Sequence, residues 1–163
     1  MIDDPSTLTE SEPLRASVLY PGRLLQEMTT EFGPAAVRKG LEFKAEPYLD
    51  WHDVIGDEAK VRQIVARLLA NAITHTPEGW VRLAVTPPDG QHWSVIVEDT
   101  GPGISPKEVA HVFEAFPGAP GTGPGLSASR TLADRLGGKL SLRSVAGRGT
   151  RCEVRLPVML RHS

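Results

Sequence analysis

The stretch Asp57–Gly79, DEAKVRQIVARLLANAITHTPEG, is the one around which the rest of the chain falls into order. Asp57 stands where a helix N-cap belongs. Val61, Ile64, Val65, Leu68, Leu69 and Ala72 then recur at the i, i+3, i+4, i+7 spacing of one apolar helix face. Pro77 and Gly79 stop the pattern. Asn71 follows Leu68 by three residues and Ile64 by seven, so a polar amide lies beside the buried stripe. Such an amide is either a hydrogen-bonded structural group or a hard oxygen ligand for a cation such as Mg²⁺. That ion takes few protein ligands and completes its shell with phosphates and water.

Working outward, residues 20–39 read as a helix with Leu24, Leu25, Met28 and Phe32 on one face, ended by Gly40. Leu41–Glu46 and Tyr48–Ile55 alternate in polarity and are expected to form a hairpin. Downstream, strands are expected near 80–86 and 92–98, separated by the turn Pro87-Pro88-Asp89-Gly90. A third helix near 125–136 turns Leu126, Ala133 and Leu136 inward and stops at Gly137-Gly138. Strands near 139–144 and 150–157 flank the turn Gly147-Arg148-Gly149. Antiparallel strands segregated from three helices specify an α+β fold: a two-layer α/β sandwich, its sheet mixed but mostly antiparallel, with three helices on one face.

Composition bounds the function. A length of 163 residues suits one domain, read here as 18–158, with 1–17 a flexible lead-in and 159–163 a tail. Eighteen Lys and Arg against 20 Asp and Glu leave a net charge of −2, which excludes nucleic-acid binding through a broad basic field. The single cysteine, Cys152, excludes a disulfide framework and reads as a small buried hydrophobe. No apolar run approaches the roughly 20 residues of a membrane helix and Met1 opens no signal peptide, so a cytoplasmic domain without direct membrane insertion is expected. Glycine and proline are concentrated: six Gly and five Pro fall within the 25 residues from Gly101 to Gly125. That density marks a stretch of backbone that is either mobile or closely approached.

Two boxes lie in that stretch. DTGPGI, Asp99–Ile104, follows the strand ending at Glu98. A carboxylate there can accept a hydrogen bond from an exocyclic amino group while the glycines let a flat ring lie against the backbone; an Asp-capped turn is the plainer alternative. GTGPGL, Gly121–Leu126, opens the third helix. Unpaired N–H groups at a helix N-terminus favour phosphate, though an ordinary loop before a helix has the same composition. Neither GxxxxGK[ST] nor GxGxxG occurs.

In order, NA…DTGPGI…VFEAF…GTGPGL…GRGT resembles the nucleotide boxes of sensor histidine kinase ATP-binding domains, which share their fold with gyrase, mismatch-repair and heat-shock chaperone ATPases. The resemblance covers roughly residues 18–158. It implies Asn71 as the Mg²⁺ ligand beside the phosphates, with His75 next to the nucleotide and Arg67 near the reacting groups. It implies Asp99 as acceptor of the adenine amino group, with Gly101, Gly103 and Ile104 along the base and Thr150 in the surrounding water network. Phe113 and Phe116 would anchor a lid. Gly121, Thr122, Gly123, Gly125 and Leu126 would border the triphosphate. The implied activity is transfer of the ATP γ-phosphoryl group to a His on a separate dimerisation domain of the same parent, which signals to a response regulator and can itself be membrane-bound. The phosphoacceptor pattern is absent, His52-Asp53 being followed by Val54-Ile55.

The sequence departs from the family pattern at Arg67, usually Asn in kinases and Glu in the hydrolytic relatives. Without that Glu there is no general base for water, which argues against a dedicated ATPase. Thr74 stands where Lys or Arg is usual, Pro124 replaces a Leu, and the segment Phe116–Gly121 carries no Lys or Arg. These differences keep two alternatives open: a nucleotide-binding or protein-docking module without turnover, and a stand-alone serine kinase of the anti-sigma type.

Overall fold

The computed structural model describes residues 13–46, 53–86, 90–104 and 123–159. Its elements run β1 (Ser17–Leu19), α1 (Pro21–Arg38), β2 (Glu42–Ala45), β3 (Val54–Gly56), α2 (Glu58–His75), β4 (Trp80–Thr86), β5 (His92–Asp99), α3 (Gly123–Arg135), β6 (Lys139–Val145) and β7 (Gly149–Pro157). The boundary expected between residues 17 and 18 falls inside β1.

Local chemistry sets both ends of α2 and the C-terminal end of α1. The Asp57 side chain accepts from the Lys60 N–H at 3.3 Å, and all six apolar stripe residues of α2 are buried. Lys39 from the end of α1 donates its ammonium to the Ile73 and Thr74 carbonyls at 2.6 and 2.8 Å. Those are orphan acceptors at the negative end of α2. Gly40, at φ +90°, ends α1 in a left-handed turn, with the Leu41 N–H reaching back to Ala36 O at 2.9 Å.

Five strands form a sheet in the order β2-β4-β5-β7-β6, parallel between β2 and β4 and antiparallel elsewhere. Val81, Leu83 and Val85 of β4, Trp93, Val95 and Val97 of β5, and Cys152, Val154 and Leu156 of β7 alternate onto one face. The stripes of α1, α2 and α3 cover that face and complete one core. The expected α+β sandwich with three helices on one face is the architecture observed.

The expected hairpin between Leu41–Glu46 and Tyr48–Ile55 does not form. β2 pairs with β4 in parallel, whereas β3 pairs antiparallel with β1 in a separate two-stranded sheet. Alternation shows that a segment has a buried face; it carries no information on which strand lies beside it. A parallel partner needs a long crossover, and α2 supplies one between β2 and β4. Strand β1, at three residues, is too short to register as a period.

A buried ion pair ties the start of the described chain to this frame. Asp57 and Lys60 are 3% and 2% exposed and meet at 3.0 Å. The Asp57 carboxylate also accepts from the Arg15 N–H at 2.8 Å, and Lys60 Nζ donates to the Pro13 carbonyl at 3.0 Å. Those bonds satisfy the buried charges and hold residues 13–15 against the head of α2.

Candidate functional site

At the C-terminal end of β5 the chain must leave the sheet without filling the space above it. Thr100 does the first part: its hydroxyl accepts from the Trp80 N–H at 2.9 Å, pinning the turn to the start of β4. Asp99 Oδ1 accepts from the Gly101 N–H at 2.8 Å, a short Asx turn. Gly101 is buried, and a Cβ there would meet the His75 carbonyl at 2.9 Å. Gly103 sits at φ +69°, where a Cβ would lie 2.2 Å from the Val145 carbonyl. These two glycines are therefore required by close backbone approach.

The turn is strapped to the β6–β7 hairpin. Gly147 donates its N–H to Pro102 O at 2.6 Å, and the Ile104 N–H donates to Ser144 Oγ at 2.7 Å. Ser144 in turn lies 2.8 Å from the Thr150 hydroxyl. The strap leaves a cavity of about 290 Å³ between α2, β5, the Pro102–Ile104 turn and the first turn of α3. Leu68 and Ala72 of α2, Val97 of β5, Leu142 of β6 and Cys152 of β7 supply apolar walls. The polar groups are few: Asn71, His75, Asp99 and Thr150. Apolar walls with a few convergent polar groups are what a flat, partly polar ligand requires.

Seven of the residues singled out in the sequence, Asn71, His75, Asp99, Gly103, Ile104, Leu126 and Thr150, line this one cavity. Gly101 packs behind Asp99. Arg67 is half-buried one turn before Asn71 on α2 and is not in the cavity wall. Gly123 and Gly125 belong to the first turn of α3. Gly121 and Thr122, with Phe113, Phe116, His52 and the expected lid, lie outside the described residues. Sequence reasoning missed Ser144, whose hydroxyl does its work through a backbone partner 40 residues away. It also passed over Leu142, an ordinary strand residue whose inward position only the register with Cys152 reveals.

Burial raises the Asp99 carboxyl above the ordinary aspartate value, against the opposing pull of the Gly101 and Thr150 N–H groups, the Thr76 hydroxyl and His75. The same burial pushes the Cys152 thiol up to about 12, so Cys152 is a packing residue, as its place among alternating apolar residues implies. The Asn71 amide carries a buried Nδ2 without a hydrogen-bond partner. Rotation about its last torsion presents the amide oxygen there instead, so the site offers a polar atom of either sign. Among the described residues no cluster of three or more His, Cys, Asp or Glu side chains could hold a metal alone.

Residues 56–160 match the model of the histidine kinase-, DNA gyrase B- and HSP90-like ATPase family. The chain belongs to this family. Among curated relatives it is 39% identical to the sensor protein TorS of Escherichia coli strain K12 over 109 residues, covering 64% of this chain and 12% of TorS. It is 34% identical to the sensor histidine kinase RcsC of the same strain over 161 residues, covering 91% of this chain and 17% of RcsC. The chain thus spans less than a fifth of the length of these relatives. Among solved structures, full-length ShkA in complex with AMPPNP superposes with a TM-score of 0.84 at 28% identity, over 94% of this chain and 33% of ShkA. The nucleotide-free catalytic domain of the histidine kinase ThkA shares the fold, with a TM-score of 0.79 at 23% identity over 89% of this chain and 99% of that domain. This histidine kinase-like ATPase domain therefore has the catalytic-domain fold of sensor kinases. No helix among its described residues is long and apolar enough to cross a membrane.

Proposed function

We propose that this domain binds Mg²⁺·ATP and transfers the γ-phosphoryl group to a histidine on a dimerisation domain of the same parent protein, with a response regulator as the onward acceptor. One observation carries the reading: a half-buried carboxylate, Asp99, lines a mostly apolar cavity, where an amino group would relieve its desolvation. A flat base carrying an exocyclic amine satisfies both requirements.

The remaining roles follow from chemistry. Val97, Ile104 and Leu142 give the ring apolar contact. Gly101 and Gly103 keep the turn backbone clear of side chains. Asn71, its amide lacking a buried partner, fits Mg²⁺, which accepts a single side-chain oxygen when phosphates and water supply the rest. Bound Mg²⁺ supplies neutralisation of the phosphate charge. The first N–H groups of α3, which begins at Gly123 beside cavity-lining Leu126, add backbone donors for phosphate oxygens. Phosphoryl transfer is mostly positioning and charge neutralisation, and the acceptor imidazole is the nucleophile, so the domain needs none of its own. We propose residues 18–158 as the unit and the cytoplasm as its compartment.

Arg67 and Thr74, which take the places of the usual polar and basic residues, favour a second reading, nucleotide binding without turnover. Incubation with [γ-³²P]ATP, Mg²⁺ and a dimerisation hairpin from the parent protein decides between them. Acid-labile label on the hairpin supports the kinase. Tight ATP binding by calorimetry without label leaves the binding module.

A further inference from the structure

The face of the five-stranded sheet turned away from the helices holds a second cavity, of about 250 Å³, which shares Asp99 and Thr150 with the first and is otherwise built from different residues. Trp80, Glu98 and Thr100 lie on its β4–β5 side, and Arg143, Arg148 and Arg151 on its β6–β7 side. The β6–β7 register sets Arg143 directly opposite Arg151, and Arg148 occupies the turn between the two strands. Like charges opposite one another across a sheet destabilise it.

Of the three, only Arg151 has acidic neighbours: the β5–β7 register sets Glu98 directly opposite it. Glu98 is engaged by Arg82 at 3.0 Å, and the Asp99 carboxylate is bonded to the Gly101 N–H. Arg151 reaches Glu153 only at 3.9 Å. Among the described residues, Arg143 and Arg148 make no ion pair. Three guanidinium groups thus line one concavity, and among the described residues Arg143 and Arg148 face it without a carboxylate of their own. Its rim is apolar as well as cationic: Val145 is 57% exposed, and the Trp80 ring lies in the wall with the Lys44 ammonium 4.7 Å from its centroid.

We infer that this cleft docks an acidic segment of a partner protein, a short peptide in which Asp or Glu residues alternate with an apolar side chain. Guanidinium forks match carboxylates in paired hydrogen bonds, and Trp80 with Val145 receives the apolar residue. A free phosphate would use the arginines and leave that apolar rim without a purpose. A nucleic acid would need the broad basic field that a net charge of −2 denies. The like-charge arrangement costs fold stability when empty and is relieved when the segment binds, as expected of a surface kept for recognition.

Fluorescence anisotropy with a short fluorescein-labelled peptide of alternating glutamate and leucine tests the cleft. Saturable binding is expected, weakening as salt rises, and weaker by at least about tenfold in Arg143→Glu/Arg148→Glu, because charge-assisted hydrogen bonds are lost. Arg38→Glu, a cation removed at the far end of α1, should bind as the unchanged chain does. The fold has its own control: Arg143→Glu faces Arg151, so its melting temperature should hold or rise while affinity falls. Arg148→Gln, exposed in the turn, gives a smaller loss of the same sign. Absence of saturable binding, equal affinity in the double variant, or full displacement of the peptide by an equal concentration of inorganic phosphate overturns the inference.

Discussion

Asp99→Asn separates the proposed adenine contact from the fold itself. The substitution is isosteric, and the amide oxygen can still accept from the Gly101 N–H that Asp99 Oδ1 holds at 2.8 Å. What disappears is the charge. A hydrogen bond to an ionised acceptor is worth about 1.5–3 kcal/mol, so ATP should bind roughly ten- to 150-fold more weakly. Stability should move the other way. Burial raises the folded-state carboxyl above its ordinary value of 3.8. Its favourable contribution is therefore complete below that value and lost as pH rises through the higher folded one. At neutral pH ionised Asp99 costs stability, and the neutral amide escapes the cost. The variant should melt at or above the temperature of the unchanged chain at pH 7, with the difference closing on acidification through the raised value toward 3.8. Calorimetry with ATP and thermal melts across pH read both quantities. Affinity within about twofold of the unchanged chain would refute the assignment of Asp99 to the base, since it implies less than 0.5 kcal/mol. A weaker variant that also melts several degrees lower at pH 7 would refute the desolvation argument.

Three further tests, on the turn glycines, the Asp57–Lys60 pair and Cys152, probe other links. Gly103→Ala should destabilise by about 3 kcal/mol or more, because its Cβ meets the Val145 carbonyl at 2.2 Å, whereas Gly147→Ala, at φ +82° with open space around it, should cost only about 1 kcal/mol. Equal unfolding midpoints for the two would remove the close-approach argument. Asp57→Ala leaves Lys60 buried without its carboxylate and strips the α2 cap, so urea denaturation should show a loss of about 3–5 kcal/mol. A loss under 1 kcal/mol would mean that the pair is dispensable. Cys152, its thiol pushed up to about 12 by burial, should resist a thiol reagent at pH 8 in the folded chain and react promptly in denaturant; rapid labelling of the native chain would contradict its burial.

Much of this molecule was legible because its signals are local. The α2 stripe repeats over 18 residues with a cap at one end and a proline at the other, and nothing tertiary competes with it. The strands from β4 onward are long, bounded by turn residues and paired mostly with near neighbours, so alternation located them within a residue or so. The nucleotide boxes were readable for the same reason, each packing its glycines, and in DTGPGI the carboxylate, within six residues. By contrast, β1 and β3 have three residues each and find each other across the whole of α1 and β2. Short segments carry too little pattern to announce a distant partner.

The sequence alone determined the helix faces, the glycine-rich turns and the identity of the polar groups offered to a ligand, because each depends on residues within a turn or two of one another. Only the tertiary structure decided that Asn71 and Asp99 share one cavity, that Ser144 straps the turn in place, and that β2 runs parallel to β4. Only it brought Arg143 opposite Arg151 on the outer face. Those are statements about register and strand order. Both are set by how the apolar faces of all the elements fit together, a constraint written nowhere in a single segment.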